Sequence, residues 1–211
     1  MTLKRGLTIA GLAALAVGLG GCITLFPTAA PVQFYGFGGV FPAPPPAEPV
    51  GAPVNIELGH TDFERAAAGD RILTVNNQED AYIAGSRWIS PATVLFQEAE
   101  ARAFAADGHV RLVRPGQMAN AKAMLQLDVP TFEVRYPGSL KAAPMVVVEV
   151  NARLIGLPDG HVIAERAITS AKPVGDNRVG DIVRGFDAAV VETLGQLFAW
   201  TDQTIASLPA G

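Results

Sequence analysis

Apolar and polar positions alternate with a period of two along much of this chain and switch to helical spacing in two places. Val54, Ile56 and Leu58 alternate with Asn55 and Glu57, which predicts a half-buried strand at the start of a folded domain near Val54. Arg71 to Val75 is a second short apolar run, and the polar stretch from Asn76 to Asp80 predicts a turn before a strand over Tyr82 to Trp88. Ser90-Pro91 then reads as a helix start, with Ser90 as N-cap and Pro91 at the first helical position. Leu95, Phe96, Ala99, Ala103 and Phe104 form the apolar face of that helix, and Gly108 is its expected stop.

Strands return after this helix. His109 to Val113 alternates weakly, Leu125, Leu127 and Val129 alternate clearly, and Phe132, Val134 and Tyr136 resume the pattern beyond Pro130. Met145 to Ile155 is the strongest strand signal. Leu157-Pro158-Asp159-Gly160 is a turn signal, and His161 to Thr169 is expected to return as the antiparallel partner. Val183, Phe186, Val190, Leu194 and Leu197 recur at helical spacing in a closing helix from about Asn177 to Ser207. The order of strands, helix, strands, helix predicts an α+β fold: a mixed, mostly antiparallel sheet with two helices packed on one face. No internal repeat is present.

The first residues follow a different pattern. Lys4 and Arg5 precede an uncharged apolar run from Leu7 to Leu19, and Leu19-Gly20-Gly21-Cys22 closes it. This is the layout of a secretory signal peptide, too short and wrongly flanked for a stable membrane span. Its ending resembles the bacterial lipobox, in which small residues admit the signal peptidase and the thiol takes up diacylglycerol as a thioether. The alternative is a plain signal peptide with a chance cysteine. The lipobox reading divides the chain into a signal peptide at 1–21, a Pro-rich tether at 22–53 and a domain at 54–211, with Cys22 as the lipidated, palmitate-bearing residue. One acyl chain holds a protein only marginally, and two or more anchor it stably. Ile23 stands where an Asp would signal inner-membrane retention, which points to the outer membrane, facing the periplasm.

Within the tether, Pro42, Pro44, Pro45, Pro46 and Pro49 favour an extended spacer, and Glu48 is the single charge between Ile23 and Pro53. Some 30 residues of flexible chain span roughly 30 Å, which would set the domain well into the periplasm. The apolar-aromatic island Val32-Gln33-Phe34-Tyr35-Gly36-Phe37 interrupts this segment. We read it as a strand that docks on the domain, held by the ring of Tyr35; the alternative is an unstructured segment with incidental aromatics.

Charge and chemistry narrow the function. The chain has 16 basic and 20 acidic residues, and removing a signal that contains Lys4 and Arg5 leaves 14 and 20, a formal charge of −6. That disfavours nucleic acid, and no polybasic stretch is present for anionic lipid. Cys22 is the only cysteine, so no internal disulfide forms and acylation removes the only thiol nucleophile. His60, His109 and His161 are scattered without a partner at helical spacing, so no metal site is expected. No Gly-X-Ser-X-Gly occurs, and Gly36-Phe37-Gly38-Gly39 is too short and apolar for a phosphate loop. Glu98 and Glu100 flank Ala99 and read as a solvated helix face. Trp88 and Trp200, at element ends, read as core pieces more than as caps of a groove. No catalytic constellation and no cofactor site emerges.

Several segments in order resemble the ABC-type transport auxiliary lipoproteins, the family that includes paraquat-inducible protein C. They are the lipobox, Phe34-Tyr35, Asp70-Arg71-Ile72, Ala84-Gly85-Ser86-Arg87-Trp88 with Ser90-Pro91, Leu125 to Tyr136, Val146 to Ala164, and the helix from Phe186 to Trp200. The resemblance implies a non-enzymatic accessory that stands beside an ABC transporter and a mammalian-cell-entry (MCE) domain protein moving lipids through the Gram-negative envelope. It implies docking to those partners, with self-association expected, and no binding residue beyond Cys22. The Pro-rich segment from Phe41 to Pro53 is longer than the family's usual one. The other reading is a structural or assembly lipoprotein of the envelope with no transport role.

Overall fold

One strand organises the sheet. In the computed structural model, which describes residues 31–39, 41, 53–105, 110–116 and 120–208, the elements run in this order: β1 (Gln33–Tyr35), β2 (Val54–Phe63), β3 (Arg71–Asn76), β4 (Glu79–Trp88), α1 (Ala92–Ala103), β5 (Val110–Val113), β6 (Ala123–Tyr136), β7 (Met145–Gly156), β8 (Val162–Pro173) and α2 (Val179–Ala206). The 14-residue β6 carries β7 along one edge. Its other edge is shared in succession by two parallel strands, β2 beside Ala123 to Val129 and β3 beside Val134 to Tyr136. Outward from these, β5 adds to β2, β4 to β3, β1 to β4, and β8 to β7, giving an eight-stranded mixed sheet. The antiparallel ladders of β6 with β7 and of β7 with β8 are its longest. Both helices lie on one face, α2 against β7 and β8, with α1 beside α2. The expected α+β architecture is the one observed.

Two interruptions of the alternation are bulges, not ends. β6 runs straight through Pro130, because the ladder to β7 breaks register between Asp128 and Thr131, where a proline removes no needed donor. β2 likewise extends to Phe63 through a register shift between Leu58 and Thr61. The start of α1 differs from expectation by one residue. Pro91 is the N-cap and Ser90 makes no capping bond. The first free N–H groups, of Ala92 and Thr93, donate instead to the carbonyls of Gly69 and Ala68 at 2.9 and 3.4 Å. The expected stop at Gly108 lies outside the described residues.

The core forms between helices and sheet from the inward positions of β6 and β7, namely Leu125, Leu127, Phe132 and Val134, and Val146, Val148, Val150 and Leu154. Phe186, Val190, Leu194 and Leu197 of α2 cover them, all fully buried. Phe132 is the hub of an aromatic cluster, with ring centroids 4.8 Å from Phe186, 5.2 Å from Phe37 and 5.3 Å from Phe63. Trp88 stands edge-on to Phe37 and Phe186 at 5.0 and 5.1 Å. Such pairs add roughly 0.5–1.5 kcal/mol each beyond the area they bury.

Phe37 ties the N-terminal island into this core. The island forms β1, parallel to β4 with Tyr35 opposite Trp88, and the compact unit runs from Val32 onward. Its anchor is not Tyr35, which is only partly buried, but Phe37, which is 5% exposed. Behind it, Gly38 at φ +70° passes so close to α1 that a Cβ would stand 2.5 Å from Ala99 Cβ. The Gly38 N–H donates to Asp187 Oδ1 at 2.7 Å, and Arg102 Nε donates to the Gly38 carbonyl at 3.0 Å. The glycine run is therefore a clamp between the two helices. Its position also corrects the tether: the prolines at 42–49 come after β1, so they connect β1 to β2 and do not separate Cys22 from the fold.

Candidate functional site

Cys22, the predicted lipidation residue, lies outside the described residues, as does His109. The other two histidines are far apart in use. His60 Nε2 meets Asp62 Oδ1 at 3.1 Å on the sheet, whereas His161 Nδ1 meets Asp159 Oδ1 at 2.6 Å in the β7–β8 turn. The His161 ring also lies over Gly156, where an added Cβ would stand 2.3 Å from its Cε1. Among the described residues no three His, Cys, Asp or Glu side chains come together to hold a metal ion.

The face of the sheet opposite the helices is polar and uncovered. The period of two that buries Leu125, Leu127 and Val129 turns Gln126 and Asp128 outward, and the register pairs them with Arg153 and Asn151 of β7. These side chains answer one another across strands. Arg153 Nε donates to Glu165 of β8 at 2.5 Å, Asn151 Nδ2 to Asp128 at 3.3 Å, and Thr131 Oγ1 to Glu149 at 3.3 Å. Asp62 and Asp128 stand side by side in register on parallel strands, a repulsive arrangement that His60 and Asn151 offset from either side. Together His60, Asp62, Gln126, Asp128, Asn151, Arg153 and Glu165 line an open cavity of about 570 Å³. Exposed ion pairs of this kind add little stability, roughly 0–1 kcal/mol each. Their arrangement sets the charge pattern that a neighbour would meet.

At the other edge, two of the segments that carry the resemblance, Asp70-Arg71-Ile72 and Ala84 to Trp88, are brought together. The Asp70 carboxylate accepts from Arg87 Nη1 at 2.9 and 2.8 Å, and the Asp70 carbonyl accepts the Trp88 N–H at 2.7 Å. They form the bed on which β1 lies, since Phe34 is opposite Arg87 and the Ile89 N–H donates to the Tyr35 carbonyl at 2.7 Å. Three large apolar side chains remain open here: Val32, Phe34 and Ile89, at 42%, 57% and 62% exposure.

Glu98 and Glu100 do not share a solvated face. Glu98 is exposed and stands 3.9 Å from Arg102 one turn on, but Glu100 is fully buried on α1 and neither of its oxygens has a hydrogen-bond partner among the described residues. Burial alone pushes its pKa up, from 4.5 to about 8, so that it is mostly protonated at neutral pH. The spacing could have warned of this, because Glu100 stands four residues after Phe96 and directly follows Ala99 on the apolar stripe. The Thr193 and Thr201 hydroxyls of α2 are also buried without partners among the described residues. Trp88 and Trp200 are core residues, 1% and 9% exposed.

The comparisons with known proteins agree with this picture. In solved structures, the fold matches the protein XCC0632 from Xanthomonas campestris, described as a DUF330 protein, with a TM-score of 0.72 and 26% identity over 82% of this chain and 97% of that one. A protein described only as uncharacterized matches with a TM-score of 0.60 at 10% identity, covering 81% of this chain and 99% of that chain. The hypothetical protein CT253 from Chlamydia trachomatis matches with a TM-score of 0.52 at 9% identity, covering 74% of this chain and 100% of the other. No curated protein sequence matches. No described helix is long and apolar enough to cross a membrane. The profile of one family, the ABC-type transport auxiliary lipoprotein component, matches residues 40–197, most of the chain, and the chain belongs to that family.

Proposed function

We propose that this protein is a lipid-anchored, non-enzymatic accessory of an ABC/MCE-type lipid transport system of the Gram-negative envelope, held by acylated Cys22 and acting by docking to partner proteins. The observation that carries the reading is the uncovered sheet face. Its polar groups are spent on one another across β2, β6, β7 and β8, which makes a fixed charge pattern and leaves no nucleophile beside a base among the described residues there. Family membership supplies the association with an ABC transport system. The cavity lining carries three carboxylates against two arginines and His60, so the complementary surface on an MCE-domain protein or transporter subunit would carry charges of both signs, and association should weaken with salt. The outer membrane is the proposed residence, with Ile23 after the lipidated cysteine.

Photo-crosslinking in cells tests this. A benzophenone amino acid at Gln126 or Ala167, on the uncovered face, should capture the MCE-domain protein encoded in the same genome, whereas one at Asp159 in the β7–β8 turn should not. Capture of envelope assembly factors instead, with no MCE or transporter subunit, would favour the structural lipoprotein reading. Capture of a second copy would assign this face to self-association.

A further inference from the structure

We propose that the corner of the sheet formed by β1 and the end of β4 is a lipid-contacting surface, with Val32, Phe34 and Ile89 resting in the interface of the membrane that anchors the chain. This rests on the reading of Cys22 as the acylated residue. The three side chains share a side of the sheet. Phe34 is opposite Arg87 in the parallel register, so Val32, Phe34 and Gly36 point one way together with Arg87 and Ile89. A Cβ on Gly36 would stand 3.9 Å from Ile89 Cγ2, so Ile89 closes over the end of β1. The Arg87 guanidinium beside them is paired with Asp70, so the corner joins three apolar side chains to a neutralised, half-exposed ion pair, as an interfacial surface does.

The occupant follows from the chain that leads to this corner. Because β1 is part of the fold, only residues 23–31 separate Cys22 from Val32. Those nine residues reach at most about 30 Å when fully extended, and roughly 15–18 Å on average as a flexible chain. They carry no charge and include Ile23, Leu25 and Phe26. An apolar corner tied this closely to the acyl chains has the acyl–headgroup boundary, where apolar groups lie some 5–10 Å deep, as its nearest apolar phase. A second copy is a poorer occupant. Stable protein interfaces bury roughly 1,000 Å² or more, and three side chains around a three-residue strand supply only a small part of that.

Site-specific labelling of the lipidated mature chain tests the proposal. Acylation blocks Cys22, so Phe34→Cys, Ile89→Cys and Asp159→Cys each introduce one position for an environment-sensitive fluorophore, with circular dichroism checking the fold. In phosphatidylethanolamine–phosphatidylglycerol vesicles, brominated acyl chains should abolish much of the emission at 34 and 89 and leave 159, in the turn between β7 and β8, unaffected. If all three labels stay in water while the protein floats with the vesicles, the proposal is overturned and the anchor reading stands. If labels at 34 and 89 are shielded yet insensitive to bromine, the corner contacts protein, which also overturns it. If the mature chain does not float at all, the Cys22 reading fails and takes this proposal with it.

Discussion

At the scale of single residues, the chemistry is concentrated in two side chains that the alternating pattern could not flag. Helical spacing puts Glu100 four residues after Phe96, on the apolar stripe, but does not tell how completely that stripe is covered. Its complete burial comes from tertiary packing, a long-range fact, and its two oxygens, unpartnered among the described residues, make the neutral acid the form that fits. The native state therefore holds a proton that the unfolded chain gives up near 4.5, and releases it only near 8. Stability contributed by this group is greatest below the lower value and falls as pH rises through the window, by up to about 1.4 kcal/mol per unit. Glu100→Gln should flatten that dependence, so the variant gains in thermal midpoint over the parent more at pH 8 than at pH 5. Equal gains at both pH values would mean that Glu100 is ionised in the fold. Cys22 is the opposite case, legible in sequence from Leu19-Gly20-Gly21 before it and outside the described residues. Cys22→Ser should abolish palmitate labelling and release the chain from the membrane fraction, because a hydroxyl is not the acyl acceptor. Label retained in the serine variant would refute the lipobox reading.

At the scale of elements, what could be read was local. β7 and β8 stood out because eleven alternating residues end in a Pro-Asp-Gly turn, and the turn is present with Gly160 at φ +75°. What could not be read was pairing. Nothing in Gln33–Tyr35 says that it lies parallel on β4, or that β6 divides one edge between β2 and β3. The bulges hid the lengths of β2 and β6, since a register shift breaks the period of two that marks a strand. The segments that carry the family resemblance serve the architecture, because Asp70, Arg87 and Trp88 hold the bed of β1. β1 in turn is held mainly through Phe37, which joins the Trp88–Phe132–Phe186 cluster. Phe37→Ala should cost about 3–5 kcal/mol, as other buried Phe-to-Ala changes do, while Tyr35→Ala should cost clearly less. Deleting residues 32–37 should lower the unfolding midpoint at least as far as Phe37→Ala. Chemical denaturation of the three variants checks the order; a Tyr35 effect equal to that of Phe37 would contradict anchoring through Phe37.

At the scale of the molecule, the sequence has two flexible-looking stretches around β1, and the structure gives them different roles. Residues 23–31 join Cys22, the residue proposed to be acylated, to the fold, whereas residues 42–52 lie in the chain between β1 and β2. A single Pro-rich tether counted through to Pro53 merges the two and overstates the reach. Their lengths should therefore act on different observables. Adding about ten Gly and Ser residues before Pro31 roughly doubles the link, raising its average span from about 15–18 Å to about 22–26 Å. The same insertion among residues 42–52 lengthens a closed loop and costs only about 0.6 kcal/mol or less per doubling. With Phe34 and Ile89 also replaced by Ser, so that the corner no longer holds the domain at the interface, the first variant should move a fluorophore at Asp159→Cys farther from acceptor lipids in an energy-transfer measurement and leave the unfolding midpoint unchanged. The second should do the reverse, with a small loss of stability and no change in distance. If the 42–52 insertion lengthens the distance, β1 does not stay docked when the chain is membrane-bound, and the domain stands off on the longer tether.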